Sequence, residues 1–214
     1  MPFLDEPSQV KILDYQARWP QEFRHLAAHV RAGLGSDAVA IDHVGSTSVP
    51  GLAAKDVIDL QVRVTSINEA SVVSAMNSIG FRCRPEAWNK TEMSGGVTCR
   101  KLVFAPPAGQ RLCNVHFRKV GAPNTRFALL FRDYLRADET ARDAWGAFKR
   151  RLAISVTDLA DYGQIKQPAT EILIRAAEQW AAGCGWSVPI VRNQQAEDTG
   201  YPACSQHCTQ EPGC

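Results

Sequence analysis

The sequence predicts an α+β fold, with a small mixed β-sheet within about the first 120 residues, flanking helices, and a helical C-terminal half. Three observations carry this. Residues Val57 to Val64 alternate strictly, with Ile58, Leu60, Val62 and Val64 on one face and Asp59, Gln61 and Arg63 on the other, which is the period of a strand. From Thr125 onward apolar residues recur at helical spacing instead. Between the two regions, the turn APPAGQ separates two further β-rich runs.

Taken in order, Pro20 is placed as an N1 residue, and Phe23, Leu26, Ala27, Val30 and Leu34 form a helical stripe that ends at Gly35. Val39 to Val44 is a short strand running into the loop GSTSVPG. After the alternating strand, Ser66 and Glu69 have capping-box spacing for a helix that stops at Gly80. Thr98–Phe104 and Leu112–Arg118 read as strands, and in the second Asn114, His116 and Arg118 share a face. Helical stripes follow through Phe127, Leu130, Phe131, Tyr134 and Leu135, and through Ala144, Trp145, Phe148 and Leu152. A last helix is expected to start at Pro168 and run through Ile172, Leu173, Ala176 and Trp180. Trp19, Trp145 and Trp180 fall at core positions of these helices.

The folded body is expected to span residues 1–184, with residues 185–214 a polar, loosely attached tail. That tail holds Cys204, His207, Cys208 and Cys214, but C-x3-C-x5-C with one internal His matches no strong zinc pattern. Cys83, Cys99, Cys113 and Cys184 are scattered and form no secreted disulfide framework. No run approaches the roughly 20 apolar residues of a membrane span, and MPFLDEPSQ lacks a signal-peptide pattern. A cytoplasmic protein without membrane contact is the expectation.

The net charge of +2 argues against a dedicated nucleic-acid binder. Its distribution is uneven, because Arg100 to Arg151 holds twelve Lys/Arg against four Asp/Glu. Such an excess suits either a surface for phosphates or a set of solvated helix faces.

The chemistry concentrates in Ile41–Val64, IDHVGSTSVPGLAAKDVIDLQVRV. Gly45 lets the chain turn closely after a strand. Ser46, Thr47 and Ser48 then offer hydroxyls and amides where a short helix begins, which suits either a phosphate or a helix cap. Asp59 follows on the polar face of the next strand, where an ionised carboxylate needs a partner or a cleft. Arg63 or Arg118 would serve as a structural partner. His43 and His116 fit either a satisfied core or a site.

This combination resembles the nucleotidyltransferase superfamily and, more closely, the GrpB family. HVGSTSVPGLAAKDVIDL, NVHFR at 114–118, LFRDYLRA at 130–137 and the opening Tyr15, Trp19, Pro20 and Phe23 carry the likeness, with Tyr162, Lys166 and Glu171 fitting more loosely. It covers roughly residues 10–180, and the family includes domains fused to dephospho-CoA kinases. The resemblance implies a nucleotidyltransferase-like fold, a Gly-Ser turn for nucleotide phosphates and strand carboxylates for Mg²⁺. The implied activity is a nucleotide-dependent transfer onto a small molecule: nucleotidyl or phosphoryl transfer, or ATP-dependent ligation. The alternative is a non-catalytic nucleotide- or coenzyme-binding module.

On the residues of this chain, Asp59 and His116 are the catalytic candidates, His116 because its unperturbed pKa of about 6.5 suits a general base. Gly45, Ser46, Thr47, Ser48, Lys55, Arg118 and Arg132 are the phosphate-binding candidates, although Arg132 and Asp133 suit local pairing as well. Asp59 and Gln61 are the metal candidates. The sequence departs from the superfamily pattern at Gln61, where a second carboxylate is expected, and at His116, where a third is. One Mg²⁺ or none therefore fits better than two, with ATP or another nucleoside triphosphate as co-substrate.

Overall fold

A computed structural model describes Phe3, Asp5 and residues 9–190; the Cys204, His207, Cys208 and Cys214 group lies outside the described residues. The elements are α1 (Trp19–Leu34), β1 (Ala40–Val44), β2 (Ile58–Val64), α2 (Glu69–Ser78), β3 (Arg82–Cys83), β4 (Thr91–Ser94) and β5 (Val97–Arg100). Then come β6 (Leu102–Ala105), β7 (Cys113–Lys119), α3 (Pro123–Ala137), α4 (Glu139–Ser155) and α5 (Leu159–Cys184). The expected mixed sheet and helical C-terminal half are both present.

Five strands form one sheet in the order β1-β2-β7-β6-β3, with β4 and β5 a separate hairpin. The pair β2/β7 is parallel and the other neighbours are antiparallel. Parallel register sets Asp59 opposite Asn114, Gln61 opposite His116 and Arg63 opposite Arg118. The polar positions of two sequence-distant strands therefore share one face, and Leu60, Val62, Val115 and Phe117 share the other.

That apolar face packs under α1 and α2 in a core that includes Trp19, Val30, Met76 and Phe104. A second core joins α3, α4 and α5 through Leu130, Leu135, Trp145 and Ala177, and Val49 and Leu52 of the loop after the Gly-Ser turn enter it. The polar face of the sheet is not left to water. Gln61 Nε2 donates to the Thr125 carbonyl of α3 at 3.4 Å and to Asp42 at 3.2 Å, and Arg63 donates to Asp42 at 2.9 Å. Buried polar side chains at such a seam persist because each finds a partner.

Three elements differ from the sequence expectation. The run Thr98–Phe104 is two strands in different sheets, because Gly95 and Gly96, both with positive φ, close a tight hairpin that pulls β5 onto β4. Helix α2 is capped by Asn68, whose Oδ1 accepts from Ser71 N at 3.2 Å, not by a box from Ser66; Glu69 instead pairs with Lys90 at 2.6 Å. Helix α5 starts at Leu159, and Pro168 lies inside it. Asp158 supplies the cap, its Oδ1 accepting from the amides of Ala160 and Asp161 at 2.8 and 2.9 Å. The earlier start brings Tyr162 and Lys166 onto α5.

Helix α5 ends at Gly185 in a left-handed conformation. The chain then docks back, with Trp186 Nε1 donating to Asp133 at 3.1 Å and the Pro189 carbonyl accepting from Arg63 at 3.1 Å. Among the described residues, no helix is long and apolar enough to cross a membrane.

Candidate functional site

Where β1 ends, Gly45 adopts φ 69° and ψ −173°, a conformation that side-chain-bearing residues avoid. A Cβ there would sit 2.4 Å from Asp59 Oδ2. Glycine is thus required by its own backbone and by the carboxylate lying over it. The next three residues, Ser46–Ser48, make a single 3-10 turn.

This turn is braced from several sides. Thr47 Oγ1 lies 3.1 Å from His43 Nε2, and the His43 ring stacks on Phe23 with centroids 4.6 Å apart. Burial holds the His43 imidazole neutral, its pKa pushed down to about 3. Ser48 Oγ donates to the Gly45 carbonyl at 2.6 Å. From α3, Arg136 donates to the Ser48 carbonyl at 2.7 and 3.0 Å, and Arg132 donates to the His43 carbonyl at 3.1 Å.

Asp59 sits beneath the turn. Its Oδ1 accepts from Asn114 Nδ2 at 3.0 Å and lies 3.5 Å from His116 Nε2. Burial alone would raise its pKa, but the hydrogen bonds and charge of its surroundings, His116 foremost, hold the carboxylate below its usual range. The pKa of the His116 imidazole is lowered too, burial outweighing the opposing pull of the Asp59 carboxylate. With Nε2 turned to Asp59, His116 Nδ1 is enclosed and has no hydrogen-bond partner.

Across from these groups, a cavity of about 180 Å³ is lined by Ser46, Thr47, Asp59 and His116 together with Lys55, Lys149, Tyr162 and Lys166. Lys149 of α4 is almost fully buried; its Nζ donates to Ser46 Oγ at 2.8 Å and to the Ala53 carbonyl. Lys55 and Lys166 both lie over the Tyr162 ring, at 5.5 and 5.8 Å from its centroid. Desolvation lowers the pKa of Lys149 to about 6 and of Lys55 to about 8, with Lys166 adding repulsion to each. The phenol of Tyr162 is pushed up to about 12 by burial and stays neutral.

The structure thus brings Ser46, Thr47, Lys55, Asp59 and His116 to one cavity. It employs the other candidates differently. Ser48 is buried in the turn. Arg118 donates to Glu92 at 2.8 Å and to Gln61 Oε1 at 3.0 Å, and Arg132 donates to Asp133 at 2.7 Å besides the His43 carbonyl. Those guanidiniums tie the hairpin and α3 to the sheet. Gln61 is fully buried with its amide oxygen occupied by Arg118. Asp56, three residues before Asp59, is held by Trp19, Arg18 and Arg111 on the α1 side.

These commitments bear on Mg²⁺. Asp59 is the one carboxylate among the cavity-lining residues, it shares the space with three lysines, and Gln61 has no oxygen to offer. Among the described residues no group of three or more His, Cys, Asp or Glu side chains is placed to hold a metal ion. This donor set does not fit a resident Mg²⁺ centre.

Sequence reasoning missed Lys149 altogether. It lies 103 residues from Ser46 inside an ordinary helical stripe, where a lysine reads as a solvated side chain. Lys166 and Tyr162 carried a signal in the Asp158 cap, which places both on the first turns of one helix.

Known proteins share this arrangement of chain. The chain is 36% identical over 149 residues to a UPF0157 protein of Halalkalibacterium halodurans, covering 68% of this chain and 70% of that one. It is 32% identical over 195 residues to a protein named dephospho-CoA kinase from Mycolicibacterium paratuberculosis, covering 83% of this chain and 48% of the relative. The chain therefore spans about half the length of that relative. Among solved structures, the conserved protein GrpB from Enterococcus faecalis superposes with a TM-score of 0.65 at 26% identity, covering 79% of this chain and 99% of that one. The model of the GrpB protein family matches residues 9–175, a span that takes in the Gly45 turn, Asp59, His116 and all three cavity lysines, and the chain belongs to that family.

Proposed function

We propose that this chain is a nucleotide-dependent transferase acting on a small molecule, by nucleotidyl or phosphoryl transfer or by ATP-dependent ligation. One observation carries the reading. A rigid Gly-Ser turn, an ionised carboxylate and a cluster of lysines face one cavity, which is the inventory needed to hold a phosphate and to accept a proton beside it. Ser46 and Thr47 receive a phosphate of ATP or another nucleoside triphosphate. Asp59 accepts the proton of the attacking group. His116 keeps Asp59 oriented rather than serving as the base itself, since its Nε2 is spent on that carboxylate and its Nδ1 is enclosed.

A second reading has its own support. With Gln61 bound to Arg118 and one carboxylate in the cavity, the site also suits a module that holds a nucleotide or coenzyme without turning it over.

Thermal melting against ATP, GTP, CTP, UTP and CoA tests binding, and phosphorus NMR in the presence of a mixed pool of small-molecule acceptors follows consumption of whichever nucleotide binds. Binding by the native chain, with consumption abolished in Asp59→Ala, supports the transferase. Binding without consumption leaves the module. A ligand at 100 times its Kd adds about 2.7 kcal/mol of stability, so the absence of any shift rejects both.

A further inference from the structure

We propose that Lys55, Lys149 and Lys166 form a polyphosphate subsite that needs no divalent cation, their ammonium groups taking the place of metal ions around the phosphate chain of the ligand. This deepens the transferase reading and rests on it.

The first argument is a contrast among cations, Lys149 being as buried as the arginines and Lys55 and Lys166 half-buried on the cavity wall. Arg63, Arg118 and Arg132 are all buried, and each has a carboxylate within hydrogen-bond distance: Asp42 at 2.9 Å, Glu92 at 2.8 Å and Asp133 at 2.7 Å. That is how proteins keep charge in their interiors. Among the described residues, no ion pair within 4 Å involves Lys55, Lys149 or Lys166. The hydrogen-bond partners of Lys149 are two neutral oxygens, on Ser46 and Ala53. What steadies Lys55 and Lys166 is the face of a neutral phenol. Three lysines thus surround one cavity without an ion-pair partner, and Asp59, whose charge acts on Lys55 and Lys166, is the one carboxylate in its lining.

The second argument is that Asp59 does not make up the deficit. Its Oδ1 is engaged by Asn114 and faces His116, and its Oδ2 lies over Gly45. One carboxylate against three lysines leaves the lining cationic whenever the lysines are protonated. An anion of several charges matches that surplus, and a phosphate chain brings oxygens that can accept from several ammonium groups at once. A Mg²⁺-complexed chain suits it less, because the ion neutralises part of the ligand charge and adds a cation among three others. Burial lowers the pKa of Lys149 and of Lys55, and an anion held among them opposes that shift by favouring the protonated form.

Calorimetric titration of the full chain with tripolyphosphate and with ATP, at pH 7 and constant ionic strength, tests this. One arm contains EDTA and the other excess Mg²⁺. Binding is expected in EDTA, weakened at least ~5-fold by Mg²⁺, and weakened at least ~10-fold by Lys166→Met. Lys119→Met, exposed at the end of β7 and outside the cavity lining, is expected to bind as the native chain does. Lys55→Met is the second variant, read wherever the melting curve of Lys166→Met departs from the native one. Binding of ATP that requires Mg²⁺ overturns the subsite and leaves the transferase reading standing. Binding indifferent to both lysine substitutions also overturns it. Absence of binding in both arms overturns the subsite and the transferase reading together.

Discussion

At the scale of single residues, two positions show how the site constrains the chain. Gly45 combines a glycine-only backbone with a Cβ position 2.4 Å from Asp59 Oδ2. Gly45→Ala must either flatten the turn or push the carboxylate off Asn114. A loss of about 2–4 kcal/mol is expected in urea denaturation, with ligand binding lost in the fraction that remains folded. Lys149 works in the opposite direction. In the unfolded chain it keeps its proton up to about the ordinary 10.5, whereas the folded chain lets it go near 6. Between those values unfolding takes up a proton, so this residue makes stability rise with pH from about 6 upward. Lys149→Met is therefore expected to raise the melting temperature at pH 7 and to flatten that rise. The gain is on the order of 1 kcal/mol, since the Ser46 hydroxyl and Ala53 carbonyl lose their donor. A lower melting temperature in Lys149→Met would mean that the lysine is there to hold the fold. Much of this was legible in the sequence: Gly45, Ser46, Asp59 and His116 stand within recognisable motifs. The lysines were not, because a cation far along the chain acquires meaning only through what it is folded against.

At the scale of elements, the β4–β5 hairpin is joined to the sheet chiefly through Glu92. Its carboxylate accepts from Arg118 at 2.8 Å, from Asn124 at 2.9 Å and from Lys101 at 3.0 Å. Burial would raise its pKa, yet Arg118 and Lys101 outweigh burial and bring it down to about 2. The folded carboxylate thus holds its charge to a lower pH than the unfolded one. The stability it contributes is complete above its ordinary 4.5 and is lost as pH falls toward 2. Glu92→Gln is expected to cost about 2–3 kcal/mol at neutral pH and to remove that acid-side slope, which acid titration followed by circular dichroism reads directly. The same hairpin shows why element boundaries were partly hidden. Thr98–Phe104 is apolar enough to pass for one strand, and the Gly95-Gly96 turn that divides it shows its effect once β4 is recognised as its partner. Pro168 misled in a similar way: a proline reads as a helix start, but Asp158 caps first, and the packing of α5 carries the helix past it.

At the scale of the whole molecule, the cavity lies at the seam between two cores. Asp59, Asn114 and His116 ride on β2 and β7, whose opposite face belongs to the α1–α2 core; Lys149, Tyr162 and Lys166 ride on α4 and α5 of the helical core. The loop after the turn joins the halves, because Val49 and Leu52 enter the helical core just beyond Ser46–Ser48. The alternation of β2 and the helical stripes of α3 and α4 announced both cores separately. Their apposition follows from the polar seam of Asp42, Gln61, Arg63 and Arg118, which no single stripe encodes. A ligand held from both sides must couple the halves, since opening either one releases it. Saturating tripolyphosphate is therefore expected to slow hydrogen exchange at the first turns of α5, residues 159–166, as well as at residues 45–49. A ligand gripped by the sheet alone would protect the turn and leave α5 exchanging as before. That pattern would place the phosphate chain over Ser46 without reaching Lys166. Protection of both segments, lost at α5 and retained at the turn in Lys166→Met, would assign the inter-core contact to that lysine.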